Sequence, residues 1–380
     1  MSESFYADRE QTQVKHTTLG RYLSAAVPIV GSWARDIAYI DCLAGPWNQV
    51  SETLEDTSFH VAVSTLLKAK AELAARDRSP SMRCLLIDNE PRAFERLSGY
   101  AKKVKGIEVT ARRWDFTRKV PDIVSYVRER PGCFPFVFID PTGWELAAIP
   151  LITPLLQLEP GEVVINLMTS WIRRFLADES KNFAGLLGSE VSRLRMLSGE
   201  EQEEELVRCY AESVRAAGRF AYICSMPIMK PDQDAFHFHL IYATRHPKGV
   251  EEFKRTEKFA STFMHGVRAE AQQRRTFKRT GQLALLPPQE VYKESRFTRY
   301  AEQNLASALR AGETLLSRKK LVSYDDLWAE WMQYAAVQES DLREWIQGRV
   351  QDGQVMVHGA KGSGTPMKRG KGTRVEWRSQ

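Results

Sequence analysis

Two apolar runs about a hundred residues apart each end in an aspartate and a tight turn. Residues 37–47 read Ile-Ala-Tyr-Ile-Asp-Cys-Leu-Ala-Gly-Pro-Trp, and residues 134–144 read Phe-Pro-Phe-Val-Phe-Ile-Asp-Pro-Thr-Gly-Trp. In open α/β sheets ligands bind beyond the carboxyl ends of the strands, so Asp41 and Asp140 are candidates to face one crevice. The small residues Ala44 and Gly45 suit a turn that lets a ligand approach the backbone. Two further acids stand after short apolar runs. Asp88 closes Cys-Leu-Leu-Ile-Asp at 84–88, and Asp115 follows the run at 107–111 by way of Trp114. A carboxylate at the tip of a second strand can accept two hydrogen bonds from ribose hydroxyls, and one after the third strand can accept from an adenine amino group, with Trp114 or Phe116 packing on the ring. Each acid also has a plainer reading as the cap of the helix that follows.

The elements that would position these acids follow from apolar periodicity. Helices are expected over 14–32, 61–75, 91–103 and 120–130, and buried strands at 84–88, 107–111, 134–139 and 161–167 besides the one that delivers Asp41. Alternating strands and helices predict a mainly parallel sheet covered on both faces. Two extended runs, 220–229 and 235–245, flank the polar turn Lys-Pro-Asp-Gln-Asp and predict a closing antiparallel hairpin. Five parallel strands and a hairpin describe the class I methyltransferase version of the Rossmann architecture better than the dehydrogenase version. Beyond residue 254 the pattern turns basic and helical, with a linker expected at 283–288. The C-terminal part reads helix (299–316), strand (321–323), helix (324–334), helix (339–351), strand (354–358), a Gly/Lys-rich loop (359–372) and strand (373–377), the order of a winged helix. The expected organisation is a Rossmann-like domain over 1–250, a basic helical connector over 251–298 and a winged helix over 299–380.

Composition narrows the function classes. At 380 residues the chain should form two or three domains. It holds no continuous apolar run of the roughly 18 residues a membrane span needs, and its first residues lack the blocks of a signal peptide, so a cytoplasmic protein with no membrane partner is expected. Five scattered cysteines argue against a disulfide framework and a metal cluster. His237 and His239 share a strand face but lack a third ligand, so no metal is expected. Residues 251–300 carry eleven Lys/Arg against six Asp/Glu, and residues 354–380 six against one, while the whole chain is only +6. Basic segments behind a near-neutral sheet suit a nucleic-acid partner, whose phosphates release counterions to Lys and Arg. Plain solvation of helices is the competing reading. The candidate contacts are Arg343, Gln347 and Arg349 on the second winged-helix helix and Lys361, Lys368, Arg369 and Lys371 in the loop, with Arg173 and Arg174 after the fifth strand.

With these residues in view, the chain resembles the three-Cys-motif partner family, bacterial proteins encoded beside a radical-SAM-like protein that carries the three cysteines. The likeness rests on Lys15-His16 with Tyr22-Leu23, Tyr39-Ile40-Asp41 with Ala44-Gly45-Pro46, Asp88, Phe138-Ile139-Asp140-Pro141 with Gly143, Ile172-Arg173-Arg174-Phe175, and Leu240 to Pro247. The resemblance implies an S-adenosylmethionine-dependent methyltransferase fold with a C-terminal winged helix, and a three-Cys protein as partner. Where the family's first loop continues Gly-Pro-Gly, Trp47 holds the last place, and Asp56-Thr57-Ser58-Phe59 stands where Gly-Ser-Pro is usual. Asp140-Pro141-Thr142-Gly143-Trp144 occupies the position of the Asp/Asn-Pro-Pro-aromatic motif of amino-group methyltransferases, without its second proline. There the carboxylate would orient an acceptor amine, with Pro141 shaping the turn and Trp144 stacking on a flipped base.

The sequence thus points to methyl transfer from S-adenosylmethionine to nucleic acid, with an exocyclic base amine as the favoured acceptor. Asp41, Ala44, Gly45, Asp88 and Asp115 would bind the cofactor. The alternative is a non-catalytic nucleic-acid-binding adaptor of a three-Cys radical-SAM-like enzyme, its cofactor pocket degenerate at Trp47.

Overall fold

A computed structural model describes residues 6–45, 51, 53–282, 295–359 and 367–378. The chain divides into two compact units, residues 1–293 and 294–380. No described helix is long and apolar enough to cross a membrane.

The first unit is a seven-stranded sheet between two helical layers. Its strands are β1 (Asp36–Asp41), β2 (Ser81–Asp88), β3 (Glu108–Arg113), β4 (Cys133–Ile139), β5 (Glu162–Leu167), β6 (Tyr222–Met229) and β7 (Phe236–Thr244). Their order is β3-β2-β1-β4-β5-β7-β6, with β7 antiparallel to both neighbours and β1 to β5 mutually parallel. Every residue of β1 and β4 is buried, as expected of parallel strands covered on both faces.

Between β1 and β4 run α2 (Ser58–Ala74), α3 (Pro91–Lys103) and α4 (Phe116–Arg128), preceded by α1 (Glu10–Gly31). Polar side chains start the crossover helices: Thr57 accepts from His60 N, Glu90 from Ala93 N and Asp115 from Thr117 N. Gly20 and Gly31 of α1 face Val61 and Leu73 of α2 with no room for a Cβ, which lets the two helices cross closely. After β4 come α5 (Ile149–Leu156) and, beyond β5, α6 (Thr169–Phe175), α7 (Ala184–Leu187), α8 (Val191–Met196) and α9 (Gly199–Gly218). Sequence periodicity predicts only one helical region there, because α6 to α8 are each under two turns and too short for a period to register.

The basic segment is not a free connector. Residues 247–280 form one helix, α10 (Pro247–Thr280), which buries Val250, Phe253, Ala260 and Met264 and packs on α1, β6 and β7. Arg274 and Arg275 near its end both pair with the buried Glu10. Part of its charge is buried, with Lys254 paired to Glu257 and Arg268 donating to Gln233 O, so α10 is an integral helix of the first unit, and the predicted boundary at residue 250 moves to 293. The expected linker at 283–288 lies outside the described residues.

The second unit holds α11 (Ser295–Lys319), α12 (Tyr324–Trp331), α13 (Glu339–Gln351) and a three-stranded antiparallel sheet, β8 (Leu321–Ser323), β10 (Arg374–Trp377) and β9 (Val355–His358) in that order. Its core is Leu316, Leu327, Trp328, Trp331, Leu342, Ile346 and Val375, with Trp345 tilted against Trp331.

Candidate functional site

Strand register brings three of the sequence-predicted acids to one edge. Asp41, the last residue of β1, is level with Leu86 of β2 and Phe138 of β4. Asp88 and Asp140 each stand two residues beyond those partners, so all three share the parity that faces α1 and α2. At about 3.3 Å rise per residue, Asp88 and Asp140 extend roughly 7 Å past Asp41, flanking it on the neighbouring strands at on the order of 10 Å from each other. The post-β1 loop is tied across the gap: Ala44 N donates to Ile87 O at 2.7 Å.

Asp41 is fully buried. It accepts from Ser58 Oγ at 2.7 Å and, at longer range, from Tyr39 OH at 3.3 Å and Leu43 N at 3.4 Å. Burial pushes its carboxyl up to about 7; the Ser58 hydrogen bond opposes that rise and the charge of Asp140 adds to it. Ser58 comes from the stretch Asp56-Thr57-Ser58-Phe59. In the structure it opens α2, with Asp56 held by Arg9 at 2.9 Å and by Ser51 N at 3.4 Å.

Asp140 is gripped from two sides. Lys15 Nζ of α1 forms a close ion pair with Oδ2, and Asn166 Nδ2 of β5 donates to Oδ1 at 2.6 Å. Lys15 also lies 5.8 Å from the centre of the Phe238 ring. Its neighbour His16 serves the packing of α1 instead. Tyr6 OH meets His16 Nδ1 at 3.0 Å, and burial drives the His16 pKa well below the usual value, so the ring stays neutral. Sequence reasoning missed Asn166, one of two polar residues in β5 with Glu162, and Lys15 carried no chemical signal of its own.

Asp88 accepts from Glu90 N at 2.7 Å and from the backbone of Gly45 and Asn89; burial still raises its pKa. Trp114 N donates to Asp88 O at 3.1 Å, but Arg113 is the residue level with Asp88, so the half-buried Trp114 indole turns to the other face, where it packs against the core under α4 with Lys119 Nζ 5.9 Å from its ring.

Burial rules out the stacking roles assigned to Phe116 and Trp144, and Asp115 and Arg173 have structural partners of their own. Asp115 is the half-exposed cap of α4, its Oδ1 taken by Thr117 N and Oγ1 and its Oδ2 facing Arg118 at 3.6 Å. Phe116 is sunk in the core and cannot pack on a ligand ring. Trp144 is only 7% exposed and packs against Phe183 and Phe175, because the chain turns into a 3-10 segment over Glu145–Ala147 and drives the indole inward. Pro141 is buried at that turn. Arg173 pairs with the buried Glu203 at 3.3 Å, whereas Arg174 is exposed.

In the second unit Arg343 is likewise engaged, by Glu339 at 2.7 Å and by Tyr324, and Arg349 pairs with Glu313. Gln347, Lys368 and Lys371 are exposed, and Arg369 lies 5.2 Å from the ring of Trp328. Trp47 and Lys361 lie outside the described residues.

His237 and His239 do share a face, each meeting a hydroxyl of α6: Ser170 Oγ at 3.4 Å and Thr169 Oγ1 at 3.1 Å. Among the described residues the single group with metal-ligand spacing is Glu190, Glu205 and Cys209, and its carboxylates are already paired with Arg193 and Arg208. All five cysteines are buried and unbridged.

The edge thus offers a carboxylate at the tip of β2, a proton-holding acid at the end of β1, and an oriented carboxylate after β4. No protein-family model matches this sequence, and no curated protein matches it.

Proposed function

We propose that the chain is an S-adenosylmethionine-dependent methyltransferase-like protein that acts on an amine of nucleic acid. The observation that carries this reading is the strand order β3-β2-β1-β4-β5-β7-β6, with β7 alone reversed and Asp41, Asp88 and Asp140 at one carboxyl edge. That order is the class I methyltransferase arrangement of the Rossmann-like sheet, and its crevice lies beside β1 and β4, where the order reverses. The second unit, two short helices followed by a β-hairpin, has the element order of a winged helix and supports a nucleic-acid partner.

The donor set fits the cofactor. A carboxylate offers about four acceptor positions, and the three backbone bonds to Asp88 leave about one for a ribose hydroxyl. The turn at Ala44 and Gly45 is held against β2. S-adenosylmethionine, when bound, supplies an electrophilic methyl group. Asp140, aimed by Asn166, would accept an N–H of the acceptor amine and align its lone pair, once Lys15 yields that position.

The Lys15 pair also favours a second reading, a non-catalytic adaptor for a three-Cys radical-SAM-like protein, the partner that the family resemblance implies. In that reading the pair is permanent and Asp140 never meets substrate. Calorimetry with S-adenosylmethionine and its homocysteine product separates the two. Micromolar binding abolished by Asp88→Ala supports the enzyme; no binding at millimolar ligand supports the adaptor.

A further inference from the structure

We propose that Trp171, with Arg174 beside it, is the platform on which a base of single-stranded nucleic acid stacks as its amine approaches Asp140. The proposal deepens the reading just given and rests on it.

The sequence motif assigned that stacking to Trp144, which the structure buries against Phe175 and Phe183. The neighbouring helix supplies the indole instead. Asn166 donates both to Asp140 Oδ1 and to Met168 Sδ, so α6 leaves the sheet directly beside the acceptor carboxylate. Trp171 stands on its first turns and is 44% exposed, leaning on Phe175 with ring centres 5.9 Å apart. An indole left half in water forgoes the gain from burying its apolar surface, a cost that a stacking partner recovers.

Charge selects the partner. Arg174 lies three residues on, over the same helix face, and has no carboxylate partner among the described residues. Its neighbour Arg173 is neutralised by Glu203. Across the edge, Lys230 acts on His237, with Asp232 opposing it, and the His237 ring meets Ser170 of α6; Lys15 there is spent on Asp140. An exposed aromatic ring among cations is the combination that holds single strands, the ring taking a base and the cations its phosphates. Duplex DNA keeps its bases stacked and offers this indole nothing to pair with until one is extruded.

The test uses the full chain and two fluorescein-labelled strands of equal length, one a mixed-sequence oligonucleotide and one composed of abasic sites, with affinity read by anisotropy. Trp171→Ala should weaken binding of the oligonucleotide about 5- to 100-fold and leave the abasic strand unchanged, while Trp171→Phe retains most of the affinity. Arg174→Ala should weaken both strands alike and lower the slope of log affinity against log salt by about 0.7. Equal loss on both strands in Trp171→Ala, or loss on neither, overturns the platform while leaving the nucleic-acid reading standing. Failure of the unaltered protein to bind either strand removes that reading and the platform with it.

Discussion

Replacing Asp41 with Asn tests the electrostatics of the edge most directly. Burial holds the Asp41 carboxyl at about 7, against 3.8 for an ordinary aspartate, so between roughly pH 4 and 7 the folded chain keeps a proton that the unfolded chain has released. Stability falls with rising pH wherever the folded state binds more protons. The contribution of Asp41 is therefore fully retained below about pH 4, is withdrawn as pH climbs through that window, and is gone above 7. At about 1.4 kcal/mol per decade, the interval corresponds to about 4 kcal/mol. The asparagine side chain imitates the protonated carboxyl and has nothing to titrate. The difference in stability between the unaltered protein and Asp41→Asn should thus drift by about 4 kcal/mol in favour of the variant from pH 4 to 8. For a unit of this size that amounts to a relative rise in Tm of roughly 8 to 16 °C. Asp88 and Glu162, whose pKa values burial also raises, are common to both proteins and cancel in the difference. Calorimetric melting at half-unit pH steps provides the curve, and a protonated-carboxyl infrared band lost in the variant gives a second, local reading. Parallel melting curves across the range would refute the argument, since Asp41 would then titrate as an exposed aspartate does.

Other substitutions probe separate links. Trp144→Ala empties a core site and should lower stability by about 3 to 5 kcal/mol, whereas Trp171→Ala on the surface should stay within about 0.5; denaturant titration that reversed the order would return the stacking role to Trp144. Lys15→Met breaks a pair whose partners are 12% and 18% exposed, between the surface and buried limits, and should cost about 2 kcal/mol in the same assay; no loss would mean the pair is idle. Asp115→Ala should shorten α4 and cost on the order of 1 kcal/mol while leaving cofactor affinity untouched; a tenfold loss of affinity would restore its place in the site. Lys368 and Lys371 replaced together by Ala should reduce the salt slope of nucleic-acid binding by between one and two; an unchanged slope would move the second unit to protein docking.

Much of the sheet was readable because parallel strands buried on both faces are short apolar runs bounded by polar turns, as at 84–88 and 134–139. The acids at their tips were readable for the same reason, a charge standing where the apolar run stops. What periodicity alone left open was orientation. Trp144 and Trp171 are both tryptophans just past a strand, and only the 3-10 turn after Pro141 decides that the first points inward. Arg173 and Arg174 are adjacent, and only the position of Glu203 on α9 decides which guanidinium is spent. Likewise α10 looked like a connector because charged residues dominate its composition, and some of them, Lys254, Glu257 and Arg268, fill buried positions on its inner face, where they interrupt the apolar period.

The Lys15–Asp140 pair spans 125 residues of sequence, and it is where the two functional readings make opposite demands. In the enzyme, Asp140 must exchange an ammonium for the neutral amine of a base, giving up about 2 kcal/mol that stacking on Trp171, about 1 to 3 kcal/mol per base, is large enough to offset. Lys15→Met removes the competitor in advance, so the variant should be less stable yet bind an amine-bearing strand more tightly than the unaltered chain. In the adaptor the pair is scaffolding, and the same substitution lowers stability without changing strand affinity. Measuring melting and strand binding on one preparation of Lys15→Met therefore separates a displaced gate from a fixed strut, because only the gate makes the two quantities move in opposite directions.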